Sequence, residues 1–444
     1  MPDIPIVSSF VVLLQAFAPH FTAPTFRTFL TIASGWVLAL GRHTVTATVR
    51  AANATGWKHI SSFHRFFSKS RWQLDGLGLT LVHLIDALIP LSEPLVAAMD
   101  DTLGRHTGPK IAGASMHRDP LLSTATRKFF HWGHVWVVLG ITIQAFGKTW
   151  CLPVLFRLHR SKKRSEADGL VHRCSTELAA ELLHVLSKAL PHRRILVTCD
   201  AAYTNRSVIK GCPSNVTVIG RSRPDAALYK PAPARSPRQL GRPRLRGERL
   251  KSPGAQAAAP RAPWRSVEVT AYGRVVTVKV LVIDALWYHV AGSDLVRTVV
   301  VRNFPGHERD DVFVCTDPSM SAKDIIETYC LRWSLEVTFQ ETKGKLGFEE
   351  PQNRTELAVQ RTAPLALCLY SLVVLWYLKT GKELRAARPA ATPWYRSKTQ
   401  PAFSDMLATL RRASWGERLF ASYGNDSTFR KRVEPLLACL DAAA

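Results

Sequence analysis

Residues 1–92 place apolar side chains at mixed spacings of three and four, in "APTFRTFLTIASGWVLAL" and "SRWQLDGLGLTLVHLIDALI", which predicts helices. The texture changes after Pro94. "LVAAMDDT" is a short apolar run closed by acids, and "HVWVVLGITI" and "TWCLPVLFRLHR" read as strands. "TELAAELLHVLSKAL" returns to helical spacing, and "RRILVTCD" is a strand closed by Asp200. Strand, strand, strand, helix, strand predicts an α/β layer structure. Residues 205–262 lose periodicity and fill with Pro, Arg and Ala, which predicts a mobile basic loop. The alternating Val and Thr of "WRSVEVTAYGRVVTVKVLVIDALWYHVAGSDLVRTVVVRN" predict an antiparallel meander. "DVFVCTD" adds one further strand. A single helix follows through "YCLRWSLEVTFQETK", with Ser319 or Ser321 as N-cap and Gly344, Gly347 and Pro351 marking its end. Helices resume over 355–379, and the tail ("PWYRSK", "MLATLRRASW", "FRKRVEPLLACL") reads as helical and basic.

Two apolar runs invite a membrane reading. "MPDIPIVSSFVVLLQAFAP" lacks a basic leader, so it reads as a buried helix. "APLALCLYSLVVLWYL" is short for a span and reads as a core helix.

Charge narrows the partners. Lys and Arg number 59 against 34 acids, a net +25. That excess favours a polyanion, nucleic acid above all, through counterion release from phosphates. Ten of the cations fall between Arg221 and Lys251, among two acids. "HTVTATVRAANATGWKHISSFHRFFSKSRW" interleaves cations with aromatic rings, which fits a small DNA-binding module and equally an ordinary helical domain with a basic rim. Eight cysteines without a CxxC pair indicate reduced thiols in the cytoplasm.

Phosphodiester chemistry with two Mg²⁺ ions needs carboxylates from separate elements, because hard cations take oxygen ligands and strand ends hold them rigidly. Asp100 and Asp200 each close an apolar strand, where an α/β sheet presents its site. Acids there also serve as turn residues or helix caps, so each has a plainer reading. On an ideal helix at roughly 100° per residue, Tyr329, Arg332, Glu336 and Lys343 fall within about 60° on one face. Trp333 and Val337 flank that stripe on one side, Leu335 and Phe339 on the other, and Glu327, Ser334, Glu341 and Lys345 form a solvent face. An Arg332–Glu336 pair alone contributes about 0.3–0.5 kcal/mol, and leaves Tyr329 and Lys343 unexplained. His131 and His134 in "HWGH" have no Cys partner and read as structural.

The run Y-x2-R-x3-E-x6-K, here Tyr329, Arg332, Glu336 and Lys343, resembles the YREK signature of bacterial cut-and-paste insertion-sequence transposases of the DDE superfamily. "AMDDT" resembles their first Asp motif, with Asp100 at the ligand position of Asp-x-Thr, and "VTCDAAYTN" resembles the second, with Asp200. "CTDPSMSAKDIIETYCLRWSLEVTFQETKGKLGFEEPQNR" resembles the block that holds the glutamate.

The resemblance implies an α/β chain with an RNase H-like catalytic core, interrupted by a β-rich insertion between Asp200 and Glu336. The chain then divides into a helical DNA-binding region (1–92), the core's first part (93–204), basic loop and insertion (205–310), the core's second part (311–380) and a helical C-terminal region (381–444). Asp100, Asp200 and Glu336 would bind two Mg²⁺ ions, with Mn²⁺ as substitute. Tyr329, Arg332 and Lys343 would contact phosphates. The basic loop, with Arg242, Arg244 and Arg246, would grip double-stranded DNA of the terminal inverted repeats. A homodimer would synapse two ends, and the freed 3′-OH would attack target DNA, in some relatives after a hairpin intermediate. The family also stacks an insertion aromatic on a flipped base. Trp264 and Trp287 are candidates, and each also fits a core role. A catalytically inactive DNA-binding regulator and a plain Mg-dependent nuclease are the alternatives.

Overall fold

The computed structural model describes residues 6–119, 122–124, 126–234, 242–384, 400–423, 428, 429, 431–433, 435 and 436. The chain opens on helices α1 (Ser8–Gln15), α2 (Ala23–Leu38), α3 (Val45–Ala51), α4 (Ile60–Ser68) and α5 (Leu74–Asp86). Next come β1 (Leu95–Arg105), β2 (Ser115–Arg118), β3 (Phe130–Ala145), β4 (Lys148–His159), α6 (Lys162–Ala167), α7 (Ser175–Ala189), β5 (Ile195–Cys199), α8 (Arg206–Ile209) and β6 (Val216–Arg221). The middle of the chain forms α9 (Pro253–Ala257), β7 (Arg265–Ala271), β8 (Arg274–Leu286), α10 (Tyr288–Ala291), β9 (Leu295–Arg302) and β10 (Asp311–Cys315). Helices α11 (Ala322–Cys330), α12 (Trp333–Lys345), α13 (Glu356–Leu384) and α14 (Phe403–Tyr423) complete it.

One ten-stranded sheet runs β2-β3-β1-β5-β6-β10-β9-β8-β7, with β4 on β3. Strands β1, β3 and β4 form an antiparallel meander, and β5 and β6 are added parallel to β1. Both sheet faces are covered where β5 lies, which explains a strand, "ILVTC", that is buried at every position.

Strand β4 is the floor for the helices that follow. Its register against β3 shifts near Leu139 and Gly140, opposite Pro153, a residue with no N–H to give the ladder. Two nearby carbonyls accept helix hydroxyls instead: Cys151 O from Thr338 Oγ1 on α12 and Pro153 O from Ser371 Oγ on α13, both at 2.8 Å. The segment Glu356–Thr380 of α13 is apolar and long enough to cross a membrane, yet 89% of its most apolar window is buried among other elements. It is the core helix that its sequence predicts.

Two expectations need correction. Residues 216–221, read as part of the basic loop, form β6 inside the sheet between β5 and β10. The meander β7–β9 is antiparallel as expected, and it continues the same sheet through the β9–β10 pairing. The single helix through Tyr329–Lys343 is two helices. Around Leu331 and Arg332 the backbone bonds run i to i−3, as in Arg332 N to Tyr329 O (3.0 Å) and Leu335 N to Arg332 O (2.9 Å). Each such step turns the chain about 120° instead of 100°, which rotates α12 relative to the ideal wheel. Trp333 (52% exposed) and Val337 (41%) therefore face solvent, while Leu335, Thr338, Phe339 and Thr342 are buried. Ser321 is the N-cap of α11, its hydroxyl accepting from Asp324 N at 3.1 Å. The tail segment "PWYRSK" and most of "FRKRVEPLLACL" lie outside the described residues.

His134 is 1% exposed and its Nε2–H donates to Ala112 O at 2.9 Å. Burial first, then the neighbouring His106, pushes its imidazole down to about 3. The folded state refuses a proton that the unfolded chain accepts near pH 6.5, so stability that is complete above pH 6.5 is lost as pH falls toward 3. At pH 5 this one group should cost about 2 kcal/mol. Urea denaturation at pH 7 and pH 5 should show a smaller acid loss in H134Q than in wild type; equal losses would contradict the assignment.

Candidate active site

The acids meet where parallel strands end. Register sets Met99 of β1 beside Cys199 of β5, so Asp100, which lies inside β1 rather than closing it as expected, neighbours Asp200, the first residue past β5. Asp200 Oδ1 accepts Ala202 N (2.9 Å) and Tyr203 N (3.2 Å), fixing a turn. The turn role anticipated for such an acid is thus real, and it engages one carboxylate oxygen. The neighbouring Asp101 is diverted elsewhere: Tyr203 Oη donates to its Oδ2 at 2.7 Å. Asp100 Oδ1 accepts Asp101 N at 2.8 Å, and Asp100 Oδ2 accepts Arg332 Nη1.

Glu336 arrives from α12, which Thr338 and the buried Leu335 and Phe339 pin against β4. Arg332 Nη2 donates to Glu336 Oε1 at 2.7 Å. One guanidinium thus bridges Asp100 and Glu336, two residues 236 positions apart in the chain. It sits at the break between α11 and α12, and its Nε is buried without a hydrogen-bond partner among the described residues. Burial pushes the Asp100 carboxyl up to about 7; Arg332 opposes this, while Asp200 and Asp101 add to it.

The donor set suits a hard divalent cation. It consists of carboxylate oxygens from three elements, two of them close enough to repel each other, which is a cluster short of positive charge. Among the described residues no three acid, His or Cys side chains stand together as a ready-made metal cage. The guanidinium between Asp100 and Glu336 occupies the space in which their oxygens would converge.

The other expected residues divide. Tyr329 is buried with its ring 4.6 Å from that of Phe313, and it lines a cavity of about 390 Å³ shared with Asp200 and Arg332. Burial pushes its phenol up to about 12. Lys343 lies away from the acids: its Nζ donates to Leu103 O at 2.7 Å and stands 3.6 Å from Glu349. Burial lowers its pKa. Arg242 and Arg244 are exposed on the loop. Arg246 is held between the rings of Tyr229 (4.2 Å) and Tyr288 (4.8 Å) and donates to His289 Nε2 at 3.0 Å. Trp264 carries the Arg302 guanidinium over its ring at 4.3 Å, and Trp287 packs against the core, so neither ring joins the acids.

Two residues at the site escaped the sequence reading. Arg221, the last residue of β6, lines the same cavity and is held by the buried Asp311. Tyr272 stands at the tip of the β7–β8 hairpin with φ of +51°, a conformation rare outside glycine. Its half-exposed ring lies 6.3 Å from that of Trp333, and its phenol feels Arg332, Arg221 and Glu336. An arginine closing an alternating strand, and a Tyr-Gly pair between two such strands, were the available signals.

Residues 16–280 match a family model described as DDE superfamily endonuclease. The match takes in Asp100 and Asp200 and ends before Glu336. No curated protein matches the chain.

Proposed function

Since the chain belongs to the DDE superfamily of endonucleases, we propose that it is a DNA transposase that nicks the ends of its element and joins the freed 3′-OH to target DNA. The observation that carries this reading is the convergence itself: Asp100 of β1 beside Asp200, just past the parallel β5, and Glu336 tied to Asp100 through Arg332. The order β4-β3-β1-β5-β6, with three antiparallel strands followed by two parallel ones, supports an RNase H-like core.

Asp100, Asp200 and Glu336 would hold the divalent ions, two Mg²⁺ or Mn²⁺. When bound, such a pair supplies a polarised attacking oxygen and charge for the leaving one. The chain's own side chains do the rest. Tyr329, Arg332 and Arg221 line the cavity beside Asp200, where they can orient a phosphodiester by hydrogen bonds and charge. Tyr272 and Trp333 offer exposed rings on which an unpaired base can stack. Hydrolysis and strand transfer can share this site, because only the nucleophile changes. Two ends must be held together, so a homodimer on DNA belongs to the proposal. Lys343 would meet a phosphate farther from the cut.

The test incubates purified protein and Mg²⁺ with duplex DNA taken from either side of its gene, and then precut ends of that DNA with plasmid. Nicking plus joined plasmid products supports a transposase; hydrolysis without joining indicates a nuclease. Binding without nicking indicates a regulator.

The loop arginines should act mainly through phosphates. R242A/R244A should weaken binding to all duplexes alike and reduce the slope of log affinity against log salt by about 2. Fluorescence anisotropy across a salt series measures this, and an unchanged slope would exclude the loop from the interface.

A further inference from the structure

We propose that Arg332 is the internal counter-ion of the metal-free site: a divalent cation must displace it from Asp100 and Glu336, and the displaced guanidinium is the group that receives the DNA phosphate. This rests on the assignment of those two acids as metal ligands. Nη1 and Nη2 each occupy one carboxylate oxygen, so the guanidinium and a cation compete for the same lone pairs. The two positive groups cannot share that space without repulsion.

The bridge has the marks of a contact that can be exchanged. A permanently structural arginine satisfies its donors, as Arg193 does with Asp86 and the carbonyls of Ile89 and Pro90. Arg332 leaves Nε buried and unpaired, a cost that a phosphate oxygen would remove. There is also somewhere to go. Arg332 lines an open cavity of mixed charge, in which Arg221 and Arg223, Tyr329 and Ser222 stand with Asp200, Asp310 and Asp311. Asp310 and Asp311 already have arginine partners, so rotation about its side-chain bonds can carry its head away from Asp100 and Glu336 toward groups able to hold a phosphate. Its Cα sits at the i-to-i−3 step between α11 and α12, which anchors the base of the side chain while the head swings.

The consequence is reciprocal coupling. A phosphate that captures Arg332 frees Asp100 and Glu336, and so must raise metal affinity by the same factor by which metal raises phosphate affinity. Off DNA the site neutralises itself and holds metal weakly; on DNA it loads. Cleavage chemistry is thereby confined to the complex.

The test is Mn²⁺ binding to the full chain, followed by the electron paramagnetic resonance signal of free Mn²⁺, with and without a short duplex. Wild type should gain about tenfold in Mn²⁺ affinity when the duplex is added. R332Q should bind Mn²⁺ about tenfold more tightly than wild type without DNA and gain little from the duplex. R332K keeps the charge but cannot bridge two carboxylates, and should fall between them; it also carries the test should R332Q fail a thermal-melt check of folding. Equal affinities of wild type and R332Q without DNA, or an R332K indistinguishable from wild type, would overturn the counter-ion role. D100N separates the two levels. If it abolishes Mn²⁺ binding while wild type and R332Q remain equal, the ligand assignment stands and the counter-ion role falls. If D100N leaves Mn²⁺ binding unchanged, both fall.

Discussion

E336Q should remain folded and bind duplex DNA as wild type does, yet lose Mg²⁺-dependent strand cleavage by about a thousandfold or more. The amide keeps the size of the side chain and one oxygen that can accept from Arg332 Nη2, so the packing of α12 on β4 is undisturbed. What it removes is a negative ligand that no neighbour can replace. Glu341 and Glu349 are the next two acids along the chain. Glu349 sits with Lys343 and Arg105, while Glu341 lies more than a helical turn beyond Glu336. D100N and D200N should match the loss. D101N should not, because Asp101 is engaged by Tyr203. Gel assays of nicking and binding on the same preparations measure both quantities. Cleavage retained in E336Q within a factor of about ten would remove Glu336 from the site.

The second large effect is on stability. Gly78 sits inside α5, and a Cβ there would stand 2.1 Å from the carbonyl oxygen of Val154 on β4. Alanine improves helix propensity by about 1 kcal/mol. The clash is with the backbone of β4, an edge strand that α12 and α13 also bond to, which cannot rotate aside as a side chain can, and overpacking of that kind costs about 1–3 kcal/mol or more. The clash wins, so G78A should destabilise the protein by about 2 kcal/mol or more. Gly344 on α12 is the matched control. It is exposed and a Cβ there meets nothing within 4 Å, so G344A should be neutral or stabilising by up to about 1 kcal/mol. The urea midpoint should fall in G78A and hold or rise in G344A. A G78A midpoint at or above wild type would mean that α5 and β4 are not packed this closely.

Local rules made the aspartates legible. Each follows an apolar run too short for a helix, and the crossover from β4 through α7 is what lays β5 parallel to β1 and sets them side by side. The Arg332–Glu336 proximity was legible as well, since residues four apart on a helix are neighbours. What Arg332 does with its other nitrogen was not, because Asp100 is 232 positions away and only the packing of α12 on β4 brings it there. The break at Leu331 and Arg332 was hidden for a related reason. An even 100° step assumes an unbroken helix, and neither residue is a Gly or Pro that would announce a change. Strand β6 was lost because "VTVIGR" is short and leads into a basic, proline-rich stretch whose composition dominates any window placed over it. The merging of the meander with the core sheet depends on β10 pairing with both β6 and β9, a contact between distant segments that no local spacing encodes.

On DNA, Asp100, Asp200 and Glu336 should close around divalent cations. Anomalous diffraction from crystals of the protein with a DNA end and Mn²⁺ tests it directly. Mn²⁺ peaks are expected at direct-bond distance, about 2 Å, from oxygens of all three side chains, with Arg332 turned away from Asp100 onto a phosphate. Mn²⁺ bound elsewhere, or Glu336 left uncoordinated with Arg332 still bridging the two acids on DNA, would contradict it.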